Sequence, residues 1–373
     1  MRDPIVQIIR RTGLQPIVVT APALAELGTR LAGLEHIGLD TEFLRERTYR
    51  AQLCLVQLAT PAEALCVDPL ALGDLAPLAQ VLTADRVVKV MHASRQDLEV
   101  LLPIAGLTRP VFDTQIAASL TGLPAQVGYA DAVRRFLGRQ LDKSHTRTDW
   151  SRRPLSAEQL EYALDDVRYL LPLAERLQEE LERLGRLEWL AEELSELAEV
   201  RALSVAPEDA WLRVRGLRPL DPARERLARS LAAWRERYAQ EHDRPRGWIL
   251  DDSVLRELVL QVPRTLQAVA ELPEMPRGFV KRHGAELLEC IERAQVPQPP
   301  PPMPDRQRPD PVRSALIKKL SSISQAVARE LNLVPEVLAT RRDLEQIADG
   351  RPDGALLRGW RRGVLGERLL AAL

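Results

Sequence analysis

Strand-forming runs are confined to the first half of the chain. Short runs rich in Val, Ile and Leu, bounded by turn residues, fall at Pro16–Thr20, Glu35–Asp40, Gln52–Thr60, Ala64–Val67 and Arg86–Met91. Helical periodicity lies between and after them, at Ala21–Leu31, Leu75–Leu82, Arg95–Leu101, Thr114–Leu120 and Ala130–Leu137. This alternation predicts an α/β domain around a mixed sheet. The second to fourth runs are too closely spaced for helical crossovers and predict an antiparallel meander.

Beyond about residue 190 the strong patterns are all helical. Ser156 and Gln159 form a capping box just after Pro154 and open a long helix reaching Leu184, which Pro172 is expected to kink. Residues 221–242 have an amphipathic period, and Asp251 or Asp252 is placed to cap another helix over Ser253–Gln261. The stretch "VPQPPPPMPDRQRPDP", 296–311, contains eight prolines and predicts a semi-rigid linker. Two further helices and a "RGWRRG" turn follow it. The chain therefore divides into an α/β unit to about 195, a helical unit to about 295 and a short helical unit from about 312.

At 373 residues there is room for two or three cored domains. The N-terminus "MRDPIVQIIRRTG" has neither the long apolar run nor the cleavage site of a signal peptide, and no stretch approaches membrane-spanning length. Cys54, Cys66 and Cys290 are scattered and read as buried free thiols, which fits a reducing cytoplasm. The net charge of −1 decides nothing about nucleic acid, although residues 301–373 hold 13 Lys and Arg against 9 Asp and Glu.

One run carries an anomaly. In "HIGLDTEFL" the apolar lead-in ends on Asp40 and Glu42, which share a face of a strand about 7 Å apart. Alone, the pair reads as a solvated strand end. "VVKVMHASRQDLEVL" adds Asp97 at a strand-to-helix junction, either as a helix-start acid or facing the end of the sheet. "SAEQLEYALDDVRYLLPL" adds Tyr162 and Asp166 on neighbouring turns of one helix. At ~100° per residue, Leu164, Val167 and Leu171 form the apolar stripe. Asp166 lies at its edge beside Ala163 and Tyr162, whereas Asp165 points away and reads as solvated.

The motifs "LDTEF", "HASRQDLEVL" and "YALDDVRYL", in this order, resemble those of the ribonuclease D family, the tyrosine variant of the DEDD exonucleases. "VFDTQIAASL" and "LDKSHTRTDWSRRPLSAEQLEYA" are similar to the same family. "GWILDDSVLRELVLQVPRTLQAV" resembles an HRDC module, and "LEQIADGRPDGALLRGWRRGVLGERLL" resembles a second, degenerate one. The resemblance implies a ribonuclease-H-like α/β exonuclease domain with a mixed sheet over 1–195, followed by two all-α HRDC-type domains. These would occupy 205–295 and 312–373, joined by the Pro-rich linker 296–311.

It further implies that Asp40, Glu42, Asp97 and Asp166 bind two divalent cations, Mg²⁺ or Mn²⁺, with Tyr162 orienting the attacking water. The expected activity is that of a cytoplasmic, monomeric 3′–5′ exoribonuclease. It would trim the 3′ trailers of tRNA and other stable RNA precursors and release 5′-mononucleotides. A DNA 3′ exonuclease and an inactive nucleic-acid-binding scaffold are the alternatives. Tyr49, Lys143 and Arg147 are candidates for substrate binding, Tyr49 with a half-buried packing role weighed equally. His92 is expected to be structural, His145 exposed, and Asp113 a helix cap with Thr114. "RGFVKRHG" and "RGWRRG" combine basic and aromatic residues, and read equally as phosphate-binding clusters or as ordinary turns, with Trp360 in a core.

Overall fold

The computed structural model describes residues 17–141, 148–197, 199, 206–217, 220–276, 278–297, 311–350 and 355–373. They form two compact units. The first draws on Met1–Leu44, Leu53–Leu203 and Asp310–Leu373, the second on Arg45–Gln52 and Ser204–Pro309.

The first unit is built on a six-stranded sheet. Its elements in chain order are β1 (Ile17–Val18), α1 (Ala21–Leu31), β2 (His36–Leu44), β3 (Gln52–Ala59), β4 (Ala64–Val67), α2 (Ala76–Thr83), β5 (Val88–Met91), α3 (Arg95–Ala105), β6 (Val111–Asp113), α4 (Thr114–Leu120), α5 (Tyr129–Leu137), α6 (Ala157–Arg168), α7 (Leu170–Leu184) and α8 (Leu187–Leu197). Sheet order is β1-β4-β3-β2-β5-β6. β3 and β4 are antiparallel, whereas β1 with β4, β2 with β5 and β5 with β6 are parallel, so the sheet is mixed as expected. β3 is buried along Leu53–Ala59, which is why it reads as a continuous apolar run rather than an alternating one.

Two expectations about local structure are refined. β6 is an extra strand of three residues, too short for its periodicity to stand out beside the helix it leads into. The long helix is broken at Tyr169 rather than kinked. Pro172 falls in the first turn of α7, where its missing N–H has no intrahelical partner to lose, and its ring excludes a continuous helix through Arg168. The capping box of Ser156 and Gln159 opens α6 as predicted.

The segment expected as a separate third unit does not stand apart. It holds α14 (Pro311–Glu330), α15 (Pro335–Leu338), α16 (Arg341–Ala348), α17 (Gly359–Arg361) and α18 (Glu367–Leu370), numbered after the helices of the second unit given below. Leu320, Val327, Leu344, Ile347, Leu365 and Leu369 share one core with Leu173, Leu177, Leu181 and Leu190. Trp360 stacks on Trp189 with ring centres 4.4 Å apart, and Arg186 donates to the carbonyls of Leu120 (2.6 Å) and Leu331. Gly122, at φ +105°, lies where a Cβ would come within 2.6 Å of the Asn332 carbonyl oxygen, so only glycine allows that approach. Local periodicity reports an apolar stripe but not which surface covers it, and here the cover is the exonuclease unit.

In the second unit a 3₁₀ turn at Pro207–Arg213 precedes α9 (Pro222–Glu241), α10 (Arg246–Ile249), α11 (Asp252–Gln261), α12 (Leu266–Ala270) and α13 (Phe279–Arg293). Asp221 caps α9 and Asp251 caps α11 through backbone N–H groups. Leu227, Leu231, Leu255, Leu258, Leu287 and Ile291 form its core. Cys54, Cys66 and Cys290 are buried and form no disulfide among the described residues. No helix among the described residues is long and apolar enough to cross a membrane.

Candidate active site

β2 and β5 are parallel neighbours, with Gly38 opposite Val90, so the C-terminal end of β2 and the turn leaving β5 lie at the same end of the sheet. Functional groups of α/β sheets gather at such ends. This brings Asp40 and Glu42, from β2, to Asp97 in the first turn of α3. α6 closes the group from the sheet face. A Cβ at Gly38 would meet the Ala59 Cβ at 2.9 Å and the Val167 carbonyl oxygen at 3.3 Å, so the glycine lets the end of α6 settle onto β2. Asp166, one residue before Val167, is thereby turned toward the acids.

Burial and neighbouring acids act together on these four carboxylates. Burial first, then Asp97, Asp166 and Glu42, push Asp40 well above the usual carboxylate range. Burial, then Asp166 and Asp97, raise Glu42 to about 8. Burial, then Asp165, raises Asp166 to about 7. Asp97 is raised to about 6 by burial, against hydrogen bonds from Thr41. The Thr41 hydroxyl donates to Asp97 Oδ1 at 2.5 Å. Thr41, between the two acids of "DTE", thus ties the first motif to the second.

Among the described residues, no arginine or lysine is named as shifting these four acids. Among the described residues no three His, Cys, Asp or Glu side chains are gathered closely enough to enclose an ion as they stand. The expected ligand cage is therefore not drawn shut as these side chains stand. The donor set nevertheless fits a hard divalent cation: it is all oxygen and all carboxylate, and its repulsion is relieved by positive charge.

Tyr162 lies one turn before Asp166, and its ring stacks at 6.2 Å and 28° on Trp150. Burial, then Asp166, Glu42 and Asp40, raise its phenol to about 12. The Trp150 loop is anchored by Arg153, which binds Asp68 through Nε (2.6 Å) and Nη2 (2.8 Å) and donates to the carbonyls of Cys54 and Trp150 at 2.7 Å each. Burial opposes ionisation of Asp68, but the Arg153 bonds outweigh it and hold the acid below its ordinary range. Sequence reasoning passed over Thr41, Trp150, Arg153 and Asp68. The dipeptide "RP" at 153–154 and the strand-end Asp68 carry no sign of a partner 85 residues away.

The remaining candidates separate. Asp165 is not simply solvated but pairs with Arg168. His92 is structural as expected, its Nδ1 2.8 Å from the Thr114 hydroxyl and its Nε2 3.0 Å from the Val127 carbonyl oxygen. Asp113 caps α4 by accepting from the N–H groups of Gln115 (2.8 Å) and Ile116 (3.2 Å). It also accepts from the N–H groups of Ala93 (3.2 Å) and Ser94 (2.8 Å), and so supports the turn before α3, where Ala93 adopts φ +55°. Tyr49 belongs to the second unit, where its hydroxyl donates to Glu236 Oε1 at 2.5 Å and accepts from Gln240 at 3.0 Å. It packs against that unit's core, the half-buried role, rather than lying open for base stacking. Trp360 is likewise a core residue, only 7 % exposed. Its indole N–H donates to Glu193 at 2.8 Å. Lys143, Arg147 and His145 lie outside the described residues.

Residues 16–182 match a family described as 3′-5′ exonuclease, and residues 224–291 match the HRDC domain. The chain is similar to ribonuclease D of Nitrobacter hamburgensis, 38% identical over 95% of this chain and 94% of the relative. It is also similar to ribonuclease D of a Jannaschia species, 41% identical over 95% of this chain and 94% of the relative. Among solved structures, RNase D of Escherichia coli, described as an exoribonuclease involved in structured RNA processing, superposes with a TM-score of 0.84 at 33% identity, covering 96% of this chain and 98% of that one.

Proposed function

Because the chain belongs to the ribonuclease D family, whose members match it nearly end to end, we propose that this 3′–5′ exoribonuclease trims the 3′ trailers of tRNA and other stable RNA precursors in the cytoplasm. The observation that supports the chemistry is that Asp97, Asp166 and Glu42 all act on Asp40, and Asp166 and Asp97 on Glu42, with no counter-charge named among the described residues that shift the four acids.

These four acids would hold two divalent cations, Mg²⁺ or Mn²⁺, which when bound activate a water and stabilise the leaving 3′ oxygen. Thr41 fixes the rotamer of Asp97 through its hydroxyl. With its pKa near 12, the Tyr162 phenol keeps its proton at neutral pH. It therefore orients the attacking water as a hydrogen-bond partner rather than removing a proton as a free base. Its stack on Trp150 limits the positions its hydroxyl can take. The HRDC domain at 224–291 is assigned the structured body of the RNA. The second HRDC-like segment, 312–373, is assigned to bracing the exonuclease unit, since its aromatic turn is engaged by Trp189 and Glu193. Among the substrate candidates, Lys143 and Arg147 are assigned to RNA phosphates.

The test gives purified protein 3′-extended tRNA, single-stranded RNA and single-stranded DNA, with Mg²⁺, Mn²⁺ or EDTA, beside Asp40→Asn. Stepwise release of 5′-mononucleotides from RNA, lost with EDTA and in the variant, is expected. Equal or faster loss of DNA points to a DNA exonuclease, and binding without hydrolysis to a scaffold; either result removes the proposal.

A further inference from the structure

One polar side chain in the middle of the sheet is left without a role by the acid site. Gln57 in β3 is 0 % exposed, and neither its amide nitrogen nor its amide oxygen has a hydrogen-bond partner among the described residues. Its neighbours along the strand, Leu55, Val56, Leu58 and Ala59, are apolar. A buried amide left unbonded is destabilising, whereas leucine or methionine fills a similar volume without that penalty. A polar group held at that expense has a use elsewhere.

Strand pairing identifies what lies beside it. β2 and β3 are adjacent, and the link from Leu44 to Gln52 is too short for the crossover that parallel strands need, so they run antiparallel. Gly38 and Ala59 are opposed on one face, at the 2.9 Å Cβ separation already given. Two residues along each strand from that pair, Asp40 lies across from Gln57, and cross-strand partners project to the same face. On the other flank Gln57 pairs with Cys66 of β4, a thiol that is only a weak hydrogen-bonding group. The face is the one onto which the end of α6, with Asp166, packs.

We propose that Gln57 is a positioning residue of the hydrolytic site: its amide, which makes no hydrogen bond in this structure, donates its N–H to the carboxylate of Asp40 when a cation is bound and holds that acid in the receiving orientation. An ionised carboxylate only accepts hydrogen bonds, so the amide suits one of its oxygens and leaves the other free. The inference rests on the reading of Asp40 as a metal ligand given above. Groups that orient a metal ligand in this way are worth about 10–100-fold in metal affinity.

The test replaces Gln57 with Leu and, independently, with Met, in wild-type and Asp40→Asn backgrounds. Mn²⁺ binding is measured without RNA by the loss of its free electron-paramagnetic-resonance signal, melting is followed in EDTA, and kcat and KM are taken on single-stranded RNA. In the wild-type background the expected result is Mn²⁺ binding weakened about tenfold or more. A fall in kcat at unchanged KM should accompany it, with melting in EDTA at or above that of the wild type. In the Asp40→Asn background neither substitution should weaken Mn²⁺ binding further. Unchanged Mn²⁺ affinity and kcat in whichever variant folds would overturn the proposal, as would an equal loss in both backgrounds. Should Asp40→Asn itself bind Mn²⁺ as tightly as wild type, the metal-ligand reading fails first and takes this proposal with it.

Discussion

Around Trp360, charge placed in the protein interior is matched. Arg361 meets Glu193, which also receives the Trp360 indole N–H, and Arg186 satisfies the carbonyls of Leu120 and Leu331. Around Asp40, in the same unit, Asp97, Asp166 and Glu42 raise the pKa of Asp40, while Asp166 and Asp97 raise that of Glu42, and no basic group is named among the described residues that shift the four acids. Both regions bury polar atoms beneath helices, so the same folding physics acts on each. Pairing is what a fold does with buried charge when stability is the only demand. An unpaired cluster is unfavourable until something outside the chain supplies the opposite charge, which marks it as the working part.

The contrast is broken or sharpened most strongly by the neighbouring acids of α6. Asp166→Asn is expected to lower kcat by roughly 10³-fold, the scale of deleting one preorganised electrostatic element. Asp165→Asn, which loses its pairing with Arg168, should stay within about threefold, since partly exposed ion pairs contribute little. Equal losses in the two variants would erase the distinction between Asp166 in the cluster and Asp165 in an ion pair.

The next effect belongs to the matched region. Trp360→Ala removes the stack on Trp189 and should cost about 3–5 kcal/mol, read as a lower melting temperature, with kcat of the folded protein preserved. Melting of the segment 312–373 alone, with the rest of the exonuclease unit unaffected, would contradict the shared core.

A smaller effect distinguishes the regions by pH. Asp97, Asp166 and Glu42 have folded-state pKa values raised to about 6, 7 and 8, so between pH about 4 and those values the folded chain binds more protons than the unfolded one. Their stabilising contribution is complete below about pH 4 and is lost as pH rises through 6 to 8. In EDTA, differential scanning calorimetry should therefore show melting falling across that window. Asp166→Asn should flatten the fall, and saturating Mn²⁺ should reverse it. A melting temperature of wild type in EDTA that rises from pH 5 to 8 in parallel with that of Asp166→Asn would count against the cluster.

The residues that were legible in the sequence are those whose signal is local. The apolar lead-in Ile37–Leu39 fixed the direction of Asp40 and Glu42, the capping box at Ser156 fixed the start of α6, and the helical stripe separated Asp166 from Asp165. What was missed depends on partners remote in the chain. Thr41 reads as filler between two acids until its hydroxyl meets Asp97, 56 residues away. Gln57 reads as a strand residue like its neighbours, because nothing local reveals that both of its faces are covered. A proline-rich stretch is a sound linker signal and predicts a separate third unit, yet a linker does not state where the segment after it docks. Tyr49 looked available beside the first motif, but the helix that takes its hydroxyl lies 187 residues further on.

On the proposed reading, Asp40, Glu42, Asp97 and Asp166 form one cation site. Anomalous scattering from a crystal of the protein soaked in Mn²⁺ addresses it directly. The account predicts anomalous density among these four carboxylates, absent from Asp40→Asn crystals treated identically. Density at saturating Mn²⁺ only elsewhere in the molecule, with the four acids unliganded in an enzyme that still degrades RNA, would contradict it.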